Sequence, residues 1–258
     1  MIYTEKSQNL WILHLTDRIN FALIWCPPGE FMMGSPEEEE FSVVTERPQH
    51  KVKLSQGFWI GRTPVTQEQW ELITKQKLPL FDNNLESESF PAEGMTWEEA
   101  MLFCNRLTLI FKERNLLENS QQIALPTEAQ WEYACRACSQ SRWYFGNDIA
   151  YLDKHGWYKE NSDGIKQPVG RKIANSWGIY DLYGNVAEWC LDDFSLYKSV
   201  EDCATDPLFI NGNSVIKIAR GGAFNYLAVE CRSARRESIA VENPYNESTG
   251  IRIVCVNK

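Results

Sequence analysis

Apolar positions recur at helical spacing in three stretches of the chain and alternate with polar ones in several others. Thr66 to Thr74 reads as a helix capped by Thr66, with Glu68 and Glu71 in its first turns. Thr96 to Lys112 places Ala100, Phe103, Leu107 and Ile110 on one face of a helix that Thr96 or Glu98 opens. Thr127 to Ala137 starts on a Thr127 cap with Gln130 at the third helical position, the spacing of a capping box. Lys51-Val-Lys-Leu54, Gly57-Phe-Trp-Ile60 and Gly250-Ile-Arg-Ile-Val254 read as strands. From Trp143 to Pro207 the chain is short of either period and rich in Gly, Asn, Asp and aromatics. A loop that long inside a compact domain needs functional or metal support.

With 258 residues and 43% hydrophobic content the chain can bury a sizeable core, and no linker, repeat or low-complexity tract divides it, which predicts one domain over residues 1–258. A net charge of −9 argues against a nucleic-acid partner, because binding to phosphates needs clustered Lys and Arg. The acidic run Glu37 to Glu40 reads as a solvated loop, since like charges repel and stay wet. Residues 1–15 mix Glu5, Lys6, Gln8, Asn9 and His14 among apolar side chains, so no signal peptide or membrane span is predicted and the expected location is the cytoplasm. The eight cysteines are then expected to be reduced thiols. Cys135 and Cys138 have Cys-x-x-Cys spacing but no second pair at zinc-ribbon distance, while Cys104 and Cys190 read as small buried hydrophobes.

The segment Gly178-Ile-Tyr-Asp-Leu-Tyr-Gly-Asn-Val-Ala-Glu-Trp189 falls inside the aperiodic stretch and changes its reading. Asp181 and Glu188 can each offer a charged oxygen, Gly184 permits a tight turn, and exposed turn carbonyls can complete a hard-cation cage of the calcium type. The alternative is a turn whose polar groups satisfy its own backbone.

Pro28-Gly-Glu-Phe-Met-Met-Gly-Ser35, Glu46-Arg-Pro-Gln-His50, Pro64-Val-Thr-Gln-Glu-Gln-Trp70, Leu125-Pro-Thr-Glu-Ala-Gln-Trp-Glu-Tyr-Ala134 and Arg220-Gly-Gly222 accompany it in this order. From about Ile24 to Val254 the chain thereby resembles the formylglycine-generating enzyme, or sulfatase-modifying factor, family. The resemblance implies an α+β, C-type-lectin-like fold of small twisted antiparallel sheets, two or three helices and extensive loops. It also implies a structural calcium site on the Asp181 and Glu188 side chains with the carbonyls of Gly184 and Val186, and a looser second site at Asp163 and Ile165.

The family's oxidases carry a pair of copper(I)-binding cysteines after this Arg-Gly-Gly. Here the second position is Cys231 but the first is Tyr226. One thiolate cannot reproduce a bis-thiolate copper site, so copper is not expected. Cys231 is a candidate nucleophile if Arg232 and Arg235 lower its pKa, or else a buried inert thiol. His14, His50 and His155 are too scattered to announce another metal centre.

In the family the segment after Arg-Gly-Gly lines the substrate groove, and some relatives on this scaffold are the variable proteins of diversity-generating retroelements, which diversify it to bind ligands. Asn225, Tyr226, Leu227, Val229, Glu230, Arg235, Glu237, Ser238, Tyr245 and Asn246 form a chemically mixed run suited to adaptable contacts. Three classes follow: a module for a protein or peptide ligand built on residues 223–249, an oxidase or metal-dependent enzyme of the family, and a structural accessory domain.

Overall fold

The computed structural model describes residues 3–78, 89–198, 203–212, 214–241 and 247–257. The chain opens as strands: β1 (Tyr3–Lys6), β2 (Leu10–His14), β3 (Asn20–Cys26), β4 (Gly29–Met33), β5 (His50–Leu54) and β6 (Phe58–Gly61). In β2 the alternation is visible, with Trp11 and Leu13 buried and their neighbours half-exposed. Helices α1 (Gln67–Thr74) and α2 (Trp97–Glu113) follow, then β7 (Gln121–Ala124) and helix α3 (Glu128–Arg136). The chain ends with β8 (Ala187–Asp193), β9 (Ala204–Thr205), β10 (Ile216–Arg220), β11 (Arg236–Ala240), β12 (Thr249–Gly250) and β13 (Val254–Asn257).

The three helices start where the sequence places them because each has a threonine that satisfies an orphan N–H. Thr66, Thr96 and Thr127 accept from the backbone N–H groups of Gln69, Glu99 and Gln130, whose side chains reach back in complete capping boxes.

The strands form a six-stranded sheet in the order β1-β2-β3-β6-β13-β7, a four-stranded sheet β11-β10-β8-β12 and a three-stranded sheet β4-β5-β9. Pairing is antiparallel except for β12 with β8 and β9 with β5. One core cluster packs α2, through Phe103, Leu107 and Phe111, against the six-stranded sheet; the other gathers Trp131, Trp143, Tyr183 and Ile218 around α3.

Two expectations are corrected. Gly250 to Val254 is not one strand: Thr249 and Gly250 pair with Ala187 and Glu188, whereas Val254 pairs with Ile60 and Ala124 in the other sheet. Residues 251–253 cross between the sheets with both faces buried, Ile251 and Ile253 among apolar side chains and Arg252 on an ion pair. The acidic run is not uniformly solvated either. Glu37, Glu38 and Glu40 are exposed, but Glu39 is drawn inward onto Arg232 at 2.7 Å, since a buried guanidinium demands oxygen partners.

Residues 143–186 contain only a 3-10 turn, Ile149–Lys154, among regular elements. Buried polar contacts do for this stretch what a ladder does elsewhere. Lys166 and Glu93 form an ion pair, and Asn175 donates to the Ala134 carbonyl at 2.7 Å and accepts from Ile179 N–H at 3.0 Å.

Candidate functional site

The turn before β8 is built on a required glycine. Gly184 has φ +79, and a Cβ there would fall 1.8 Å from the Trp157 carbonyl oxygen. The closeness is used: Asn185 N–H donates to that same oxygen at 2.7 Å, and Gly184 N–H donates to Gly221. Asp181 and Glu188 flank the turn and are both buried.

Their carboxylates differ in circumstance. Glu188 accepts from Arg252 Nη2 at 2.7 Å, from Arg252 Nε at 2.9 Å and from Trp131 Nε1 at 2.6 Å. Arg252 thus supplies the positive charge at Glu188. Asp181 Oδ2 accepts from Gly170 N–H at 2.6 Å, while Oδ1 is buried without a hydrogen-bond partner. Burial pushes the Asp181 carboxyl up to about 6, against the opposing pull of the Gly170 N–H and Arg252.

An orphaned buried carboxylate oxygen beside a tight turn fits a hard cation. Among the described residues no three His, Cys, Asp or Glu side chains converge, so an ion here would need carbonyls such as those of Gly184 and Val186 beside Asp181 and Glu188. Asp163 is exposed with φ +58, and Ile165 N–H closes a turn onto the Ser162 carbonyl at 3.2 Å.

The run after Arg220-Gly-Gly222 is fixed from below. Phe224 is buried and its N–H donates to the Asn185 carbonyl at 2.9 Å; its own carbonyl accepts from Ser162 Oγ at 2.7 Å. Lys159 N–H donates to the Tyr226 carbonyl at 2.9 Å. Gly222, at φ +74, lies so near Cys231 that a Cβ would meet its Sγ at 2.7 Å. Ala234 and Ile251 are buried as well.

On this base Asn225, Leu227 and Ser238 are exposed, and Tyr226, Val229, Glu230, Arg235 and Glu237 are half-buried. Tyr226 lies partly against the core, and burial pushes its phenol up to about 12. Arg235 joins Glu237 at 2.7 Å and Glu230 at 3.6 Å, linking the two halves of the surface. Tyr245 and Asn246 lie outside the described residues.

Cys231 is fully buried, and burial, reinforced by Glu230, holds its thiol well above the ordinary range. The two arginines expected to activate it are engaged elsewhere: Arg235 pairs with Glu237, and Arg232 makes a two-point pair with Glu46, both contacts at 2.8 Å, and a third with Glu39. All eight cysteines are free thiols, with Cys135 buried and Cys138 exposed.

Sequence reasoning misses the buried arginines Arg220, Arg232 and Arg252, which bond respectively to Glu132, Glu46 and Glu188. The available sign was a charge embedded in an apolar pattern, as in Ile251-Arg-Ile253. It also misses a cavity of about 290 Å³ beside the amino end of α3, lined by Glu128, Asp192, Tyr197, Phe209 and Arg236 among others.

The family model described as the sulfatase-modifying factor enzyme 1-like domain matches residues 16–256. The chain is similar to the formylglycine-generating enzyme of Mus musculus, at 26% identity over 183 residues, covering 66% of this chain and 45% of that protein. It spans 34% to 61% of the length of the first curated relatives it matches. Among solved structures it resembles Treponema denticola variable protein 1, with a TM-score of 0.81 at 23% identity over 98% of both chains. PvdO from Pseudomonas aeruginosa gives 0.82 at 21% identity, covering 97% of this chain and 99% of that one. The fold is thus α+β and of the C-type-lectin-like kind. Among the described residues no helix is long and apolar enough to cross a membrane.

Proposed function

The chain belongs to the sulfatase-modifying factor enzyme 1-like domain family, and from that premise we propose that it is a binding module whose recognition surface lies within residues 223–249 and takes a protein or peptide ligand. The observation that carries the reading is the division of labour along one segment. Phe224, Arg232 and Ala234 are buried, while Asn225, Leu227 and Ser238 on the same stretch face solvent. A rigid base under mixed, adaptable side chains reduces the ordering cost of binding. The fold of a protein called a variable protein agrees with this use. Copper-dependent oxidation fits less well, because a buried, protonated Cys231 beside a tyrosine at the other ligand position offers no pair of thiolates. A structural calcium ion at Asp181 belongs to the same proposal as a support for the turn that anchors Phe224.

The test is selection from a peptide-display library on the intact protein, followed by affinity measurement on two variants. Leu227→Ala and Tyr226→Ala should each weaken a selected peptide by on the order of 1 to 2 kcal/mol, with the unfolding midpoint little changed for the exposed Leu227. Phe224→Ala should instead destabilise the fold by roughly 3 to 5 kcal/mol. Selected peptides that bind both surface variants as well as the wild type would place recognition elsewhere.

A further inference from the structure

The cavity beside α3 stands apart from that surface except for Arg236, and it has a composition of its own. Its mouth is apolar: Leu196, Leu208 and Phe209 are 56%, 45% and 41% exposed, more than large apolar side chains ordinarily are. Its lining is charged, with Glu128, Asp192, Asp193 and Arg236 at the floor and the exposed Lys198 at the rim, and of the three carboxylates two are matched by a cation. Glu128 is held by Arg236 at 2.6 and 2.8 Å, and Asp193 by Lys217 at 2.7 Å. Arg236 is spent on that pair and on the carbonyls of Thr45 and Ser195, at 2.7 and 2.9 Å.

Asp192 is the exception. It is 6% exposed and accepts the N–H of Glu128 at 2.7 Å on Oδ2 and the N–H of Phe209 at 3.1 Å on Oδ1. Among the described residues no Lys, Arg or His nitrogen stands within ion-pair distance of it. An ionised carboxylate has about four acceptor positions, so capacity remains after the two backbone donors. A buried carboxylate without a cation is costly, and a ligand that brings the cation recovers that cost.

We propose that this cavity binds a primary ammonium group on an apolar body, the ammonium paired with Asp192 and the body held between Leu196, Leu208 and Phe209. A volume of about 290 Å³ suits a ligand the size of phenethylammonium or one lysine side chain with an apolar neighbour. It lies at the lower end of ligand pockets, which begin near ~300 Å³. Burial and the nearby Glu128 charge hold the empty Asp192 carboxyl up to about 7, the direction that an incoming ammonium would reverse.

Calorimetric titration of the full chain with phenethylammonium, neutral 2-phenylethanol and anionic 3-phenylpropionate tests the proposal, with an acetylated Leu-Lys-Phe peptide as a second arm. The ammonium should bind at least about tenfold more tightly than the other two small molecules, a gap of about 1.4 kcal/mol. Asp192→Asn should remove that preference. Leu208→Arg, which sets a cation at the exposed mouth and leaves the Asp192 hydrogen bonds intact, should remove binding. If only the peptide binds with this pattern, the natural source of the ammonium is a lysine side chain; if only the free amine does, it is a small molecule. Equal or tighter binding of phenylpropionate, unchanged amine binding in both variants, or no heat from either amine or peptide at millimolar concentration would overturn the assignment. None of these outcomes bears on the 223–249 surface, whose test uses different residues.

Discussion

Arg252 grips Glu188 at two points, Nη2 to Oε1 at 2.7 Å and Nε to Oε2 at 2.9 Å, where the chain passes from the four-stranded to the six-stranded sheet. Both side chains are essentially without solvent. The remaining guanidinium hydrogens reach the carbonyls of Gly61 and Tyr180, each at 2.8 Å, so one side chain binds β6, the start of the Asp181 turn and β8 together.

Arg252→Met should therefore be severe. It leaves Glu188 buried with Trp131 as a neutral donor, and stranding one member of a buried pair costs about 3 to 5 kcal/mol. Adding Glu188→Gln should restore part of that loss, because the stranded charge disappears. Urea unfolding of the two variants measures both effects; equal destabilisation by the single and double change would show that the pair is not the source.

Much of this architecture is legible in the sequence. The amino ends of α1 and α3, and that of α2 to within two residues, are legible because a threonine cap is a local device, readable from four consecutive positions. Strand β5 alternates, with Val52 and Leu54 buried beside exposed lysines, while β6 is legible as a short apolar run and is buried throughout. What escaped is non-local. β8 is buried on nearly every residue because its two faces meet different core clusters, Ala187 and Trp189 in one and Cys190 in the other, so it shows no alternation. The partners of Arg220, Arg232 and Arg252 are 88, 186 and 64 residues away, and no window of sequence joins them. The candidate site was located by the same rule: the turn at Gly184 was evident from its residues, but the Arg252 charge that accompanies it was not.

Glu39 and Glu37 are two residues apart in one acidic run yet should respond differently to removal. The Glu39 side chain is 8% exposed and bonds Arg232 Nη1 at 2.7 Å, whereas Glu37 is exposed. Glu39→Ala should cost about 1 to 3 kcal/mol, the range for loss of a charged hydrogen bond, because Arg232 keeps Glu46 as a partner. Glu37→Ala should stay within about 0.5 kcal/mol. Matched denaturation curves of the two variants decide the point, and equal small effects would mean that the loop closes on Arg232 without holding the fold.

Thiol chemistry should report the burial of Cys231. Of the eight cysteines only Cys138 is exposed and Cys203 half-exposed. Titration with a disulfide reagent should label those two in the native protein and all eight after unfolding. Rapid native labelling of Cys231, identified by peptide mass, would contradict a thiol kept protonated by desolvation and revive it as a nucleophile.

The Asp192 carboxyl gives stability a pH dependence of definite sign. Burial raises it from 3.8 to about 7 in the folded chain. Between those values the native state keeps a proton that the unfolded chain has released, so this group's contribution is fully present below the lower value and is lost as pH rises through the upper one. Asp192→Asn should flatten the fall in urea midpoint over that interval, provided the comparison is made without amine buffers that could occupy the cavity. A variant with the same pH profile as the wild type would assign the dependence to other groups.

Calcium is best tested at Asp181 rather than at Glu188. Removing Glu188 also strands Arg252, so its loss would destabilise the protein whether or not an ion binds. Asp181 presents the informative atom: Oδ1 is buried without a hydrogen-bond partner, while Oδ2 is held by Gly170. A calcium ion coordinated there would satisfy Oδ1, and binding to the native state alone would stabilise it by about 2.7 kcal/mol at a hundredfold excess over Kd. The expected result is a higher melting temperature in millimolar calcium than in EDTA for the wild type, and none for Asp181→Asn, which keeps the shape and removes the charge. Because burial holds the Asp181 carboxyl at about 6 without the ion, the calcium-induced rise should shrink as the buffer is taken below that value. Identical melting in EDTA and calcium at neutral pH would leave Arg252 as the charge that serves this turn.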